Sequence, residues 1–87
     1  MGKVARERPE KLSKKLLQIR LSLGLSQNEI LVELDLADRI DRSSISGYEI
    51  GARESSLITL LKYARMAGVH MDVLVDDEMD LPKRLLR

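Results

Sequence analysis

The chain has 87 residues, with 15 Lys and Arg against 14 Asp and Glu for a net charge of +1, so it supports one domain with one modest core. It has no cysteine, which excludes a disulfide staple, a thiolate metal site and a thiol nucleophile, and which fits the cytoplasm. Hydrophobic residues make up 44% of the chain but include no Phe or Trp and only two Tyr, a composition that favours helix packed on helix over a β-sandwich.

Residues 1–8 are charged, lack apolar periodicity and read as a flexible basic arm. They lack the apolar run of a signal peptide, and no later stretch approaches the ~20 apolar residues needed to span a bilayer. Pro9 suits a first helical position, and Glu10 suits the positive end of a helix. Leu12, Leu16, Ile19 and Leu23 then form an amphipathic stripe that Gly24 closes. Ser26-Gln27-Asn28-Glu29 is a capping box, which predicts a second helix burying Ile30, Leu31 and Leu34. Asp35 can end it in the left-handed conformation, and residues 36–40 read as a loop with a single helical turn. Asp41 is a good N-cap for a third helix over 42–50, which faces inward through Ile45 and Tyr48 and stops at Gly51. Ser55 or Ser56 caps a fourth helix with a core stripe of Leu57, Leu60, Leu61, Ala64 and Ala67 and a stop at Gly68. A short fifth helix is expected over 71–75. The domain therefore spans 9–75, and 76–87 forms a tail of acidic and apolar residues.

Charge is unevenly placed. Residues 1–24 carry seven basic residues against Glu7 and Glu10, whereas 72–80 carry Asp72, Asp76, Asp77, Glu78 and Asp80 with no basic residue. This asymmetry suggests one face for phosphate and another turned away from it. The acidic run lacks the glycine and alternating ligands of a calcium loop and reads as solvated. His70, the one histidine, reads as a helix cap or a surface residue, with no nucleophile to serve. No phosphate-binding glycine loop, nucleophile elbow or zinc spacing is present, so neither an enzyme nor a cofactor is expected.

Two segments carry a family likeness. Arg20 is followed by Gly24-Leu25-Ser26-Gln27-Asn28-Glu29-Ile30, and then by Ile45-Ser46-Gly47-Tyr48-Glu49-Ile50-Gly51-Ala52-Arg53-Glu54-Ser55-Ser56. Leu57, Leu60, Tyr63-Ala64 and Gly68-Val69 complete the pattern. Together they resemble the phage-repressor and Cro-like, XRE-type helix-turn-helix domains over roughly residues 12 to 75. There are three departures. Gln27 to Gly51 is about four residues longer than usual, Leu31 replaces a small residue where the two helices touch, and Ser55 replaces a proline.

The resemblance implies an all-α, compact five-helix, lambda-repressor-like domain. It also implies sequence-specific binding of double-stranded DNA by a transcriptional repressor, with helix 42–50 in the major groove and a homodimer on two half-sites. Gln27 and Arg53 are then phosphate contacts, joined by Lys14 and Lys15 of the basic first helix. Arg42, Ser43, Ser46 and Gly47 face base edges, where Arg pairs with guanine and Ser with either base or phosphate. The insertion leaves open that Arg39 enters the groove in place of Arg42. Arg20 and Glu49 form a structural ion pair across two helices. Leu74, Met79, Leu81, Leu85 and Leu86 are candidates for the dimer interface. The alternative from another class is a protein-interaction module, such as the antitoxin of a toxin–antitoxin pair.

Overall fold

The computed structural model describes residues 8–85, in which five helices follow one another with no strand among the described residues. Local signals set most of the boundaries. The apolar stripe of α1 (Leu12–Ser22) buries Leu16 and Ile19, and Gly24 reverses the chain after it with φ +71°. The capping box opens α2 (Gln27–Glu33): the Glu29 amide donates to Ser26 Oγ at 3.0 Å, and the Ser26 amide donates to Glu29 Oε1 at 2.7 Å. Two orphan amides are thereby satisfied at once. Asp35 ends this helix at φ +59°, as its tolerance of the left-handed region suggests.

The inserted segment is a single turn. The amides of Arg39 and Ile40 both donate to the Leu36 carbonyl, at 2.9 and 3.0 Å. Leu36 is buried and Ile40 half-buried, so the turn is pinned to the core from below while Ala37, Asp38 and Arg39 stay exposed. The large Leu31 side chain is buried in the core. Asp41 then caps α3 (Arg42–Ile50), accepting from the Ser44 amide at 3.2 Å and the Ser43 hydroxyl at 2.6 Å. These bonds hold its carboxyl below the usual carboxylate range, the hydroxyl contributing most.

Of the two candidate serines, Ser56 caps α4 (Leu57–Ala67), its Oγ accepting from the Thr59 amide at 3.1 Å. The stripe of this helix is shifted from the one expected. Leu57 is 74% exposed, and Tyr63 takes a core position at 0%. Burial pushes the Tyr63 hydroxyl's ionisation well above its ordinary range. His70 occupies the N-cap position of α5 (Met71–Val75), but its side chain makes no capping bond, so it is a surface residue there.

The two charged ends meet in one seam, which corrects three expectations. The first concerns where α1 begins. Pro9 and Glu10 precede it, and the amides of Glu10 and Lys11 donate to Asp77 Oδ2 and Oδ1 at 2.9 and 3.0 Å. Asp77 thus does the work of an N-cap from the far end of the chain, and the acidic run is not simply solvated. The second concerns Lys15, expected on phosphate. It is only 3% exposed, and its Nζ donates to the carbonyls of Val73, Asp76 and Met79 at 2.7, 2.9 and 2.7 Å. An ammonium has three N–H bonds, and all three are used on carbonyls at the end of α5 and just beyond it. The third concerns the tail leucines. Leu74 is fully buried and so not free for a second subunit, whereas Leu81 and Leu85 are half-buried against the same core. Met79 is 39% exposed, and Leu86 lies outside the described residues, as do residues 1–7 of the expected arm.

Lys15 and Lys14, adjacent in sequence, should therefore behave differently. Lys15→Ala should lower the unfolding free energy in urea by at least about 1.5–3 kcal/mol, the worth of one bond to a charged group. Lys14→Ala, at an exposed position, should change it by less than about 0.5 kcal/mol. Asp77 gives a pH signature, because the Glu10 amide first and the Lys11 amide second lower its folded pKa. Its stabilisation is complete above the unfolded value of about 3.9 and is lost as pH falls through the lower folded value. Asp77→Ala should remove part of this acid-limb loss, read from thermal melts between neutral and strongly acidic pH.

Candidate nucleic-acid interface

Glu49 organises the region between the first three helices. Its carboxylate is 7% exposed and accepts from Arg20 Nε at 2.6 Å and Nη2 at 3.0 Å, a two-point pairing that matches the guanidinium fork. Arg20 Nη1 donates to the Leu25 carbonyl at 3.0 Å, so α1 is also tied to the start of α2. The bond from Glu49 is the main reason that the Arg20 pKa lies above its ordinary value. Gln27 completes the cluster, its Nε2 donating to Glu49 Oε1 at 3.1 Å. The carboxylate thus holds one residue from α1 and one from α2 against α3. Sequence reasoning placed Gln27 on phosphate and did not foresee this bond. Its second amide hydrogen is left for a partner outside the cluster.

The outer side of α3 carries Arg42 and Ser43, both exposed, with Ser46 half-buried beside them and Ile50 74% exposed at the far end. Ser43 gives its hydroxyl hydrogen to Asp41, leaving its oxygen lone pairs outward. Lys14 is exposed on α1. Gly47, expected among the base contacts, is buried under Arg53. A Cβ placed on it would lie 2.9 Å from both Cγ and Cδ of that side chain. The backbone explains the cover. Gly51 ends α3 at φ +79°, and the chain folds back so that the amides of Ala52 and Arg53 both donate to the Gly47 carbonyl, at 2.9 and 3.1 Å. Arg53 Nη1 then reaches Ser44 Oγ at 2.9 Å. Ser44 was not singled out from the sequence. The available signal was a mid-helix glycine six residues before an arginine, with a helix-closing glycine between them.

Arg39 and Arg53 flank an open, mostly polar groove of about 430 Å³ at the first turn of α3, which Asp38, Asp41, Ser43 and Ser44 also line. A capped helix with its first turn exposed, ringed by three arginines and positioned by a buried ion pair with the helix before it, is the geometry of a helix that enters a DNA groove. The profile of the family described as Helix-turn-helix matches residues 16–74. The chain belongs to the XRE-type helix-turn-helix family. It is a DNA-binding transcription regulator, and its all-helical, five-helix fold is the family's. Among solved structures, it is similar to the restriction-modification controller protein C.AhdI from Aeromonas hydrophila, at 33% identity and a TM-score of 0.58. That match covers 70% of this chain and 86% of the other. No curated protein sequence matches the chain. Among the described residues, no group of acidic residues and histidine is arranged to hold a metal ion, and no helix is long and apolar enough to cross a membrane.

Arg20→Ala should destabilise the fold by roughly 3–5 kcal/mol in urea unfolding, because it leaves the buried Glu49 carboxylate without its main partner. Replacing both residues with apolar ones of similar size should cost less than that single change, since no buried charge is then left alone.

Proposed function

We propose that this regulator binds a two-fold operator as a homodimer, each copy placing α3 in the major groove, and that it represses transcription by occupying promoter DNA. The exposed guanidinium groups around the first turn of α3 carry this reading: Arg42 on the helix, with Arg39 and Arg53 beside it. Arg42 is suited to guanine O6 and N7, and Ser43 and Ser46 to neighbouring base edges. Gln27 and Lys14 are suited to phosphates, Gln27 with the added help of the outward amides at the start of α2. The neighbouring C.AhdI is a restriction-modification controller, and likeness to it favours a regulated locus of that kind for this chain. Leu57 and Ile58, 74% and 61% exposed at the start of α4, supply an apolar surface for the second copy in place of the buried Leu74.

Binding to duplex DNA should weaken with salt, with a log–log slope of about −0.9 per phosphate neutralised. Selection from a random duplex pool should return paired half-sites whose centres lie roughly one DNA turn apart, ~34–36 Å, or a multiple of it. A slope near zero, or a pool that shows no enrichment, would overturn the reading.

A further inference from the structure

We infer that Arg53 reads a base: lying over the outer side of α3, it reaches guanine in the major groove from the loop behind the helix instead of gripping a phosphate. This rests on the DNA-binding reading above and changes the role that the family resemblance gives to Arg53.

Three observations carry it. First, Arg53 is fixed to the recognition helix. Its amide donates to the Gly47 carbonyl at 3.1 Å, its stem fills the space that a side chain at 47 would occupy, and Nη1 donates to Ser44 Oγ at 2.9 Å. Position 47 lies one turn on from Ser43 and beside Ser46, so a side chain laid across it belongs to the same outward surface. Second, Ser44 uses one guanidinium hydrogen, and the exposed group keeps four of its five donors. A held guanidinium loses less freedom when it binds, and its remaining fork matches O6 and N7 of guanine.

Third, the surroundings suit a base better than a phosphate. Asp38 and Asp41 line the same groove as Arg53. Asp41 is kept ionised by Ser43 and the Ser44 amide, with a smaller contribution from the charge of Arg53. A phosphate set against Arg53 would face these carboxylates at close range. A base pair presents neutral donors and acceptors side by side, so the carboxylates do not repel it and can accept from an amino group such as cytosine N4. Gly47 follows from the same arrangement. A glycine mid-helix weakens the helix, and here its missing Cβ is what lets the arginine stem lie flat.

The test uses the full chain and a panel of single-base variants of its selected operator. Arg53→Ala and Arg53→Lys should both relax preference at one base pair per half-site by about 5- to 150-fold, the lysine variant keeping the salt slope of the parent. Gly47→Ala should push the stem aside and relax the same base pair. Combined with Arg53→Ala it should add little further, because both changes remove one contact. Melting temperatures of Gly47→Ala and of the double variant, in which the Cγ and Cδ contacts are gone, separate lost reading from lost folding. Uniform weakening across the panel with Arg53→Ala, and a salt slope shallower by about one phosphate, would overturn the inference and leave the DNA-binding reading intact. Failure of the parent chain to bind any duplex would overturn both.

Discussion

The carboxylate of Glu49 is the constraint on which the rest of this molecule depends. It sits where α1, α2 and α3 converge, almost without exposure, and accepts from Arg20 twice and from Gln27 once. Removing a charge from water is costly, and the pairing makes up for it only if the geometry is closely kept. The pairing is therefore better read as a positioning device than as a source of stability. A rotation of α3 about its axis would pull the carboxylate out of the guanidinium fork, so the face the helix shows outward is set by a contact on its inner side. Gln27 extends the same constraint to the N-terminus of α2, linking the orientation of the two helices nearest a ligand.

The remaining charges do less than their number suggests and are placed more specifically. The basic first helix and the acidic segment after α5 read as two separate poles, but they close against each other. Asp77 meets the amides before α1, and Lys15 meets carbonyls in the last turn of α5 and beyond it. Each end supplies what the other helix terminus lacks, because amides and carbonyls at helix ends have no partner within their own helix. This seam uses charge that would otherwise face solvent or nucleic acid. At the first turn of α3, by contrast, the exposed Arg39, Arg42 and Arg53 are interleaved with Asp38 and Asp41.

What was legible in the sequence was mostly local. The Ser26–Glu29 box, the Asp41 cap, the left-handed Asp35 and the glycines after three helices each depend on residues within a few positions, and each appears as expected. The Arg20–Glu49 pair spans 29 residues and was legible only through the family pattern. The misreadings concern contacts that no local rule reports. Lys14 and Lys15 look alike in sequence, but one helical step of about 100° turns the second inward, toward carbonyls 58 to 64 residues away. Leu57 and Tyr63 both fit a stripe on α4, and packing against the Arg20–Glu49 region selects Tyr63. Gly47 was expected against base edges, but the occupant of the space beside it comes from beyond the next turn.

The Asp77 contacts also bring together two segments far apart in sequence, one before α1 and one after α5. The Glu10 amide and the Asp77 carboxylate are 2.9 Å apart although 67 residues separate them. Neighbouring segments of this kind favour circular permutation, since a linker from beyond Asp77 back to the start of α1 need not span the domain. The exposed stretch Ala37-Asp38-Arg39 is a natural place to reopen the chain. The new ends would fall between α2 and α3, and the seam that the present chain closes by hydrogen bonds would be closed by covalent bonds. The order in which the helices are connected would change while the Arg20–Glu49 pairing that orients α3 stayed the same. The topology of this fold is thus separable from the pairing that orients its third helix.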